Sequence, residues 1–225
     1  MVEDVVASHD WRIDEREYAR HEGRRGRRFA YPWIVGARTA LVVVDMVPFF
    51  VEANAYCRVI VPRVNRLAEV VRAVGGAVAW VLPGGGEPTA AAIEFFGARV
   101  AESYSRTGGS GELRDRVYSG LATDADDLYV EKSAPSAFFP GRCPLPGLLE
   151  RRGVDTVLIT GTVTNVCCES SARDAATLGF RTIMVADGNA TRTDREHNAT
   201  LHTIYRSFGD VRPTADLIEM LTTTQ

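Results

Sequence analysis

The sequence lacks an apolar run long enough to cross a bilayer, has no basic excess and contains little histidine or cysteine. A membrane-spanning helix needs about 20 consecutive apolar residues. Each aliphatic stretch here is broken well before that by a charge, a proline or a glycine. Lys and Arg number 26 against 29 Asp and Glu, giving a formal net charge of -3. No global positive field therefore draws the 225-residue chain to nucleic acid. The leading residues are acidic and polar (Glu3, Asp4, Asp10, Asp14, Glu15, Glu17), where a secretory signal would be basic and then apolar. The reading is a cytoplasmic protein. The four cysteines, Cys57, Cys143, Cys167 and Cys168, are too few for a disulfide scaffold in a chain of this length, so reduced thiols are expected. No G-x-G-x-x-G follows the first predicted strand; Gly84, Gly85 and Gly86 follow the second and run into Pro88. That disfavours a dinucleotide-binding oxidoreductase.

What is present is an alternation of strands and helices. Residues 1–37 lack a sustained period and read as an N-terminal arm, followed by one domain over 38–225. Within the arm, Arg24, Arg25, Arg27 and Arg28 form a basic cluster that reads as a solvated segment packing on this or a neighbouring subunit. Thr39 to Val44 is a continuous apolar run stopped by Asp45, which suits a strand buried on both faces. Val59 to Val74 has helical spacing and ends at Gly75 and Gly76. Further strands are predicted at Ala77–Leu82, Leu128–Glu131, Asp155–Thr160, Arg181–Ala186 and around Val211. Helices are predicted at Asn165–Leu178, Asp194–Ser207 and Ala215–Leu221. The stretch Ser105 to Gly111 reads as a flexible loop and a candidate lid. The pattern implies an α/β fold with a mostly parallel sheet and helices on both faces.

In such sheets ligands bind beyond the carboxyl ends of the strands. Asp45 ends the first strand, Lys132 the third and Asp187 the fifth, and Cys167 opens the helix after the fourth. A carboxylate, an ammonium and a thiol thus fall on one rim. Neighbouring strands lie roughly 4.8 Å apart, so a lysine side chain can bridge to the others. A sulfur near a helix N-terminus and beside a lysine is expected to favour thiolate, and a carboxylate can accept its proton. Cys168 faces elsewhere around the helix and is expected to pack in the core. Taken singly, each residue has a blander explanation: Asp as a strand-end turn former, Lys as a solvated side chain, Cys as a small core hydrophobe.

Three segments are similar to the isochorismatase-like hydrolases: Leu41 to Met46; Glu131 and Lys132 with Ser136 to Phe139; and Gly161 to Ala175. The resemblance runs from about Thr39 to Leu221. It implies a three-layer Rossmann-like fold with six strands ordered 3-2-1-4-5-6. It also implies a triad in which Asp45 accepts the proton, Lys132 supplies charge and Cys167 attacks. By the same resemblance the Thr162–Val163 peptide is cis, the backbone N–H groups of Val163 and Cys167 form an oxyanion hole, no cofactor is needed, and the protein is a homodimer or homotetramer. The implied reaction cleaves a C–N bond in a small amide, ureide or lactam.

The chain departs from the family pattern after Asp45. Many relatives have glutamine two residues on, whereas this chain has Val47, Pro48, Phe49 and Phe50. Metal-assisted relatives place histidines soon after that point, but the histidines here are His9, His21, His197 and His202, so no metal is expected. His197 and His202 are spaced i, i+5 and read as surface or subunit-contact residues. Phe49, Phe50, Trp80, Phe138 and Phe139 are the expected pocket walls. Two non-hydrolytic readings stay open: a thiol-redox protein built on Cys167 and Cys168, and a small-molecule binding module.

Overall fold

A computed structural model describes residues 8–223. In chain order its elements are α1 (Glu15–Arg25), β1 (Thr39–Val44), α2 (Pro48–Ala53), α3 (Ala55–Ala73), β2 (Ala77–Pro83), α4 (Ala90–Phe96), α5 (Ala98–Ser105), β3 (Leu128–Lys132), α6 (Leu145–Arg151), β4 (Thr156–Thr162), α7 (Glu169–Thr177), β5 (Arg181–Ala190), α8 (Asp194–Ser207), β6 (Asp210–Arg212) and α9 (Thr214–Thr222). The six strands form one sheet ordered β3-β2-β1-β4-β5-β6, and every neighbouring pair is parallel. Among the described residues no helix is long and apolar enough to cross a membrane.

Strand alternation divides the core in two. Along β1, Ala40, Val42 and Val44 face one layer with α6, α7 and α8. Leu41 and Val43 face the other, with α3 and α9. All six β1 residues are buried, as expected of a central parallel strand covered on both sides. The chain builds β2 and β3 on one side of β1 and then returns to lay β4 on the other. The gap between the carboxyl ends of β1 and β4 is therefore the point where the winding reverses.

That gap is held tight by Gly161. Its φ is +119°, and a Cβ built there would lie 2.1 Å from the Val44 carbonyl oxygen. No side chain fits, and the backbone conformation itself is one that only glycine adopts cheaply. Gly161→Ala is expected to destabilise the protein by roughly 2–6 kcal/mol, combining backbone strain with overpacking. A urea midpoint within error of wild type would show that β1 and β4 do not need this approach.

The leader differs from an irregular arm. Asp14 caps α1 by accepting from the Arg16 N–H. The buried Glu17 carboxylate pairs with Arg20 at 3.2 Å and with Arg206 of α8 at 3.0 Å. The helix is short and mostly polar, so it shows little apolar period; it is fixed through charge and aromatic contacts. Three of the four arginines fold back on their own chain. Arg25 donates to the Arg28 carbonyl, Arg27 to the Phe29 and Ala30 carbonyls, and Arg28 to Glu22 while lying over the Tyr18 ring. Residues 1–7 of the leader lie outside the described part.

Candidate active site

Asp45 is the first residue past β1, and its φ of +55° makes it the one non-glycine residue in the left-handed region among the described residues. Aspartate tolerates that region better than most side chains, but holding it there still costs about 1 kcal/mol or more. The bend is secured on both sides. The Asp45 N–H donates to the Val81 carbonyl at 2.9 Å, and the Val47 N–H donates to the Asp45 carbonyl at 2.9 Å.

Lys132 is the last residue of β3, with Pro83 of β2 as its partner in register. Two strand spacings, roughly 9.6 Å, separate β3 from β1, and the lysine stem spans them. Its ammonium lies 2.9 Å from Asp45 Oδ2, 3.6 Å from Cys167 Sγ and 3.2 Å from the Ala134 carbonyl oxygen. Both charged side chains are almost fully buried, at 3% and 2% exposure. Asp45 Oδ1 is buried with no hydrogen-bond partner, so one carboxylate oxygen is committed to the lysine and the other is free.

Cys167 sits in a π-helical turn, Thr164–Cys168, between β4 and α7. The Val166 and Cys168 N–H groups both donate to the Val163 carbonyl, which closes the turn. The Thr162–Val163 peptide that opens it is cis. Ser171, one turn into α7, donates to the Cys167 carbonyl at 2.6 Å and accepts from the Ala137 N–H at 2.9 Å. It ties the cysteine turn to the loop that follows Lys132. Cys167 is half-buried, while Cys57, Cys143 and Cys168 are buried and none is in a disulfide.

The electrostatics differ from a preformed thiolate. Burial first, and the Asp45 carboxylate second, push the Cys167 thiol well above its ordinary range; Lys132 opposes this but does not outweigh it. Burial also raises the Asp45 carboxyl, against the downward pull of Lys132. Burial lowers Lys132, but its contacts with Asp45 and Cys167 outweigh that, so its ammonium is held above the usual lysine range. Burial thus works against charge on both Cys167 and Asp45, and both face the ammonium of Lys132. Cys167 lies two residues ahead of α7, in the π-helical turn that runs into it.

The expected pocket walls divide. Trp80 is a core residue: it alternates with Val78 and Leu82 onto the α3 face, and its indole N–H donates to Asp127 at 2.7 Å, before β3 begins. Phe138 is fully buried, edge-on to Phe180 at 5.5 Å. Phe49 and Phe139 are exposed, and Phe50 is partly buried with its ring against Phe49. Asp187 also leaves the rim: β5 continues past it to Ala190, and its carboxylate holds Thr214 and Arg63. Arg116 pins the candidate lid, donating to the Gly108 carbonyl at 2.6 Å and to the Pro83 carbonyl at 2.8 Å. A cavity of about 490 Å³ opens at the opposite, amino-terminal edge of the sheet, lined by Gly76, Asp124 and Asp127 among others, and holds none of Asp45, Lys132 and Cys167.

His197 corrects the surface reading. It is fully buried, with hydrogen bonds to Thr164 and to the Ala186 carbonyl, and lies against His9. A helical-wheel argument within α8 could not reveal this, because the partners come from the leader, β5 and the cysteine turn. Ser171 was legible only as a serine four residues after the cysteine. Among the described residues no three His, Cys, Asp or Glu side chains are grouped to hold a metal ion.

A parallel sheet in this order is the frame of the isochorismatase-like cysteine hydrolases, and in this chain Cys167, Lys132 and Asp45 meet where its winding reverses. The isochorismatase domain pattern matches residues 39–216, and the chain belongs to the isochorismatase family. It is 30% identical over 191 residues to an uncharacterized isochorismatase family protein of Bacillus subtilis, covering 82% of this chain and 94% of that one. Among solved structures, a cysteine hydrolase from Pseudomonas syringae superposes with a TM-score of 0.74 at 28% identity, over 86% of this chain and 96% of that one. The N-carbamoylsarcosine amidase of Thermoplasma acidophilum gives 0.65 at 27% identity, over 79% and 96%.

Proposed function

We propose that this protein is an amidohydrolase that opens a C–N bond of a small amide, ureide or lactam through a thioester on Cys167. The observation that carries this reading is the buried ammonium of Lys132, 2.9 Å from a carboxylate and 3.6 Å from a half-buried thiol. The name of the amidase structure above points the same way.

Asp45 takes the thiol proton as the sulfur attacks the carbonyl carbon. Lys132 stays charged throughout and stabilises whichever partner is anionic. The carbonyl oxygen becomes an oxyanion facing the backbone N–H groups of Val163 and Cys167. The C–N bond then breaks, the proton held by Asp45 goes to the departing nitrogen, and a thioester remains. Asp45, again a carboxylate, deprotonates a water that attacks the thioester and releases the acid and the free thiol. Its unpartnered Oδ1 is suited to both transfers.

A redox reading built on both adjacent sulfurs lacks a second accessible thiol, since Cys168 is fully buried. The test is a release screen for ammonia or amine over a panel of amides, ureides and lactams, with Cys167→Ala as the blank. Release that is equal in the blank would overturn the assignment.

The pH dependence follows from the coupled pair. The reactive form has lost one of the two protons shared by Asp45 and Cys167. Because burial raises the Asp45 carboxyl, that loss lies above the ordinary carboxylate value of 3.8. Turnover and Cys167 alkylation by iodoacetamide are expected to fall together as pH drops through this raised midpoint. Asp45→Asn should abolish the acid limb of alkylation. An identical limb in that variant would assign the proton elsewhere.

A further inference from the structure

The family match begins at residue 39, yet a histidine 30 residues earlier is built into the support of the cysteine turn. His9 is 5% exposed and lies between two rings, Tyr56 at 3.9 Å and His197 at 4.4 Å, both nearly parallel to it. Hydrogen-bond logic fixes the tautomers. The Asp194 carboxylate only accepts, so His9 Nδ1 carries the hydrogen and donates to it at 2.6 Å. His9 Nε2 accepts from the Thr191 N–H at 3.1 Å. The Ala186 carbonyl likewise only accepts, so His197 donates from Nε2 at 3.0 Å and its Nδ1 accepts from the Thr164 hydroxyl at 3.0 Å.

Both arms of this stack end on the turn that carries the sulfur. One runs from His9 to His197 to Thr164, the first residue of the turn. The other runs from His9 to Thr191, whose hydroxyl donates to Asn165 Oδ1 at 2.7 Å, the second residue. Thr191 is also gripped through its carbonyl by Asn54 Nδ2 at 2.9 Å. Burial and the neighbouring His9 push the His197 imidazole down to about 3, so it stays neutral and keeps Nδ1 as an acceptor. A neutral acceptor is what the Thr164 hydroxyl requires.

We infer that His9 is a positioning residue for the nucleophile: the leader is a strap that fixes the cysteine turn relative to Asp45 and Lys132 through His197 and Thr191. This rests on the reading of Cys167 as the nucleophile. The strap touches no substrate and acts only through the place of the sulfur. Misplacing a reacting group by an ångström can lower rates by about a hundredfold.

The test uses the full chain and iodoacetamide, with adducts mapped to Cys167 by mass spectrometry and folding followed by circular dichroism. His9→Ala is expected to remain folded, to lower the neutral-pH alkylation rate of Cys167 roughly tenfold to hundredfold, and to shift the midpoint of its acid limb. Thr164→Val should do the same in part, Thr164→Ser should keep the wild-type profile, and the double variant His9→Ala with Thr164→Val should be no worse than His9→Ala alone. A wild-type rate and midpoint at Cys167 in folded His9→Ala, equal behaviour of the Ser and Val variants, or strictly multiplicative effects would overturn the strap. Each of those results leaves Cys167 reactive and the proposed reaction standing. Absence of an acid limb at Cys167 in the wild-type protein would instead remove the nucleophile reading.

Discussion

Cys167→Ser is expected to leave a folded protein whose turnover falls by about 10⁴-fold or more, the scale seen when a covalent nucleophile is removed. The substitution changes one atom at a half-buried position on the margin of the core, so the fold is expected to survive it. What changes is acidity. The thiol already stands well above its ordinary range beside Asp45, and a hydroxyl there would be far harder to ionise. Asp45, although raised, is too weak a base to take that proton. Lys132 keeps its contact with Asp45 in the variant, so the charges that organise the site survive. Loss of turnover with an unchanged urea midpoint would locate the defect in the chemistry. Retained turnover would remove Cys167 from the reaction.

Breaking the Lys132–Asp45 pair is expected to be the most destabilising polar change in the protein. Asp45→Asn leaves an ammonium at 3% exposure with no counter-charge, at a cost of about 3–5 kcal/mol. Lys132→Met leaves a carboxylate at 2% exposure, but that group has an escape: it binds a proton. Losing Lys132 removes the largest influence holding the Asp45 carboxyl down, so its folded pKa rises further. The folded state then binds more protons than the unfolded chain at any pH between the ordinary carboxylate value and the raised one. Stability therefore falls as pH rises through that window. Lys132→Met should be nearly as stable as wild type in mild acid and increasingly unstable toward neutrality.

The double variant Asp45→Asn with Lys132→Met removes both charges, and buried pairs replaced together are often neutral or stabilising. It should recover most of the stability lost by either single variant while remaining inactive. Urea midpoints of the four proteins at pH 5 and pH 7 measure this directly. Strict additivity would mean the two groups do not interact, against their 2.9 Å separation.

The strands were legible because a parallel sheet covered on both faces demands unbroken aliphatic runs, and Leu41 to Val44, Val78 to Leu82 and Val157 to Ile159 supply them. The position of Asp45, Lys132 and Cys167 was legible for the same reason: each ends a strand or follows one, and all the strands of a parallel sheet end on one edge. What the sequence left open also has a common origin. Trp80 and Phe138 lie near strand ends in sequence, but whether an aromatic faces the pocket or the core depends on pleat and on the loop's path. His197 looked solvated because its partners lie 11, 33 and 188 residues away in the chain.

The sequence by itself thus determined the parallel sheet and the edge where Asp45, Lys132 and Cys167 gather, since these follow from local hydrophobic period and chain direction; the strand order came from the family resemblance. Only the tertiary structure decided how the site is surrounded: that burial pushes the Cys167 thiol and the Asp45 carboxyl up, that Lys132 reaches both, and that a leader histidine packs behind the cysteine turn. Those properties come from burial and from contacts between distant segments, and neither is written in the residues near the site.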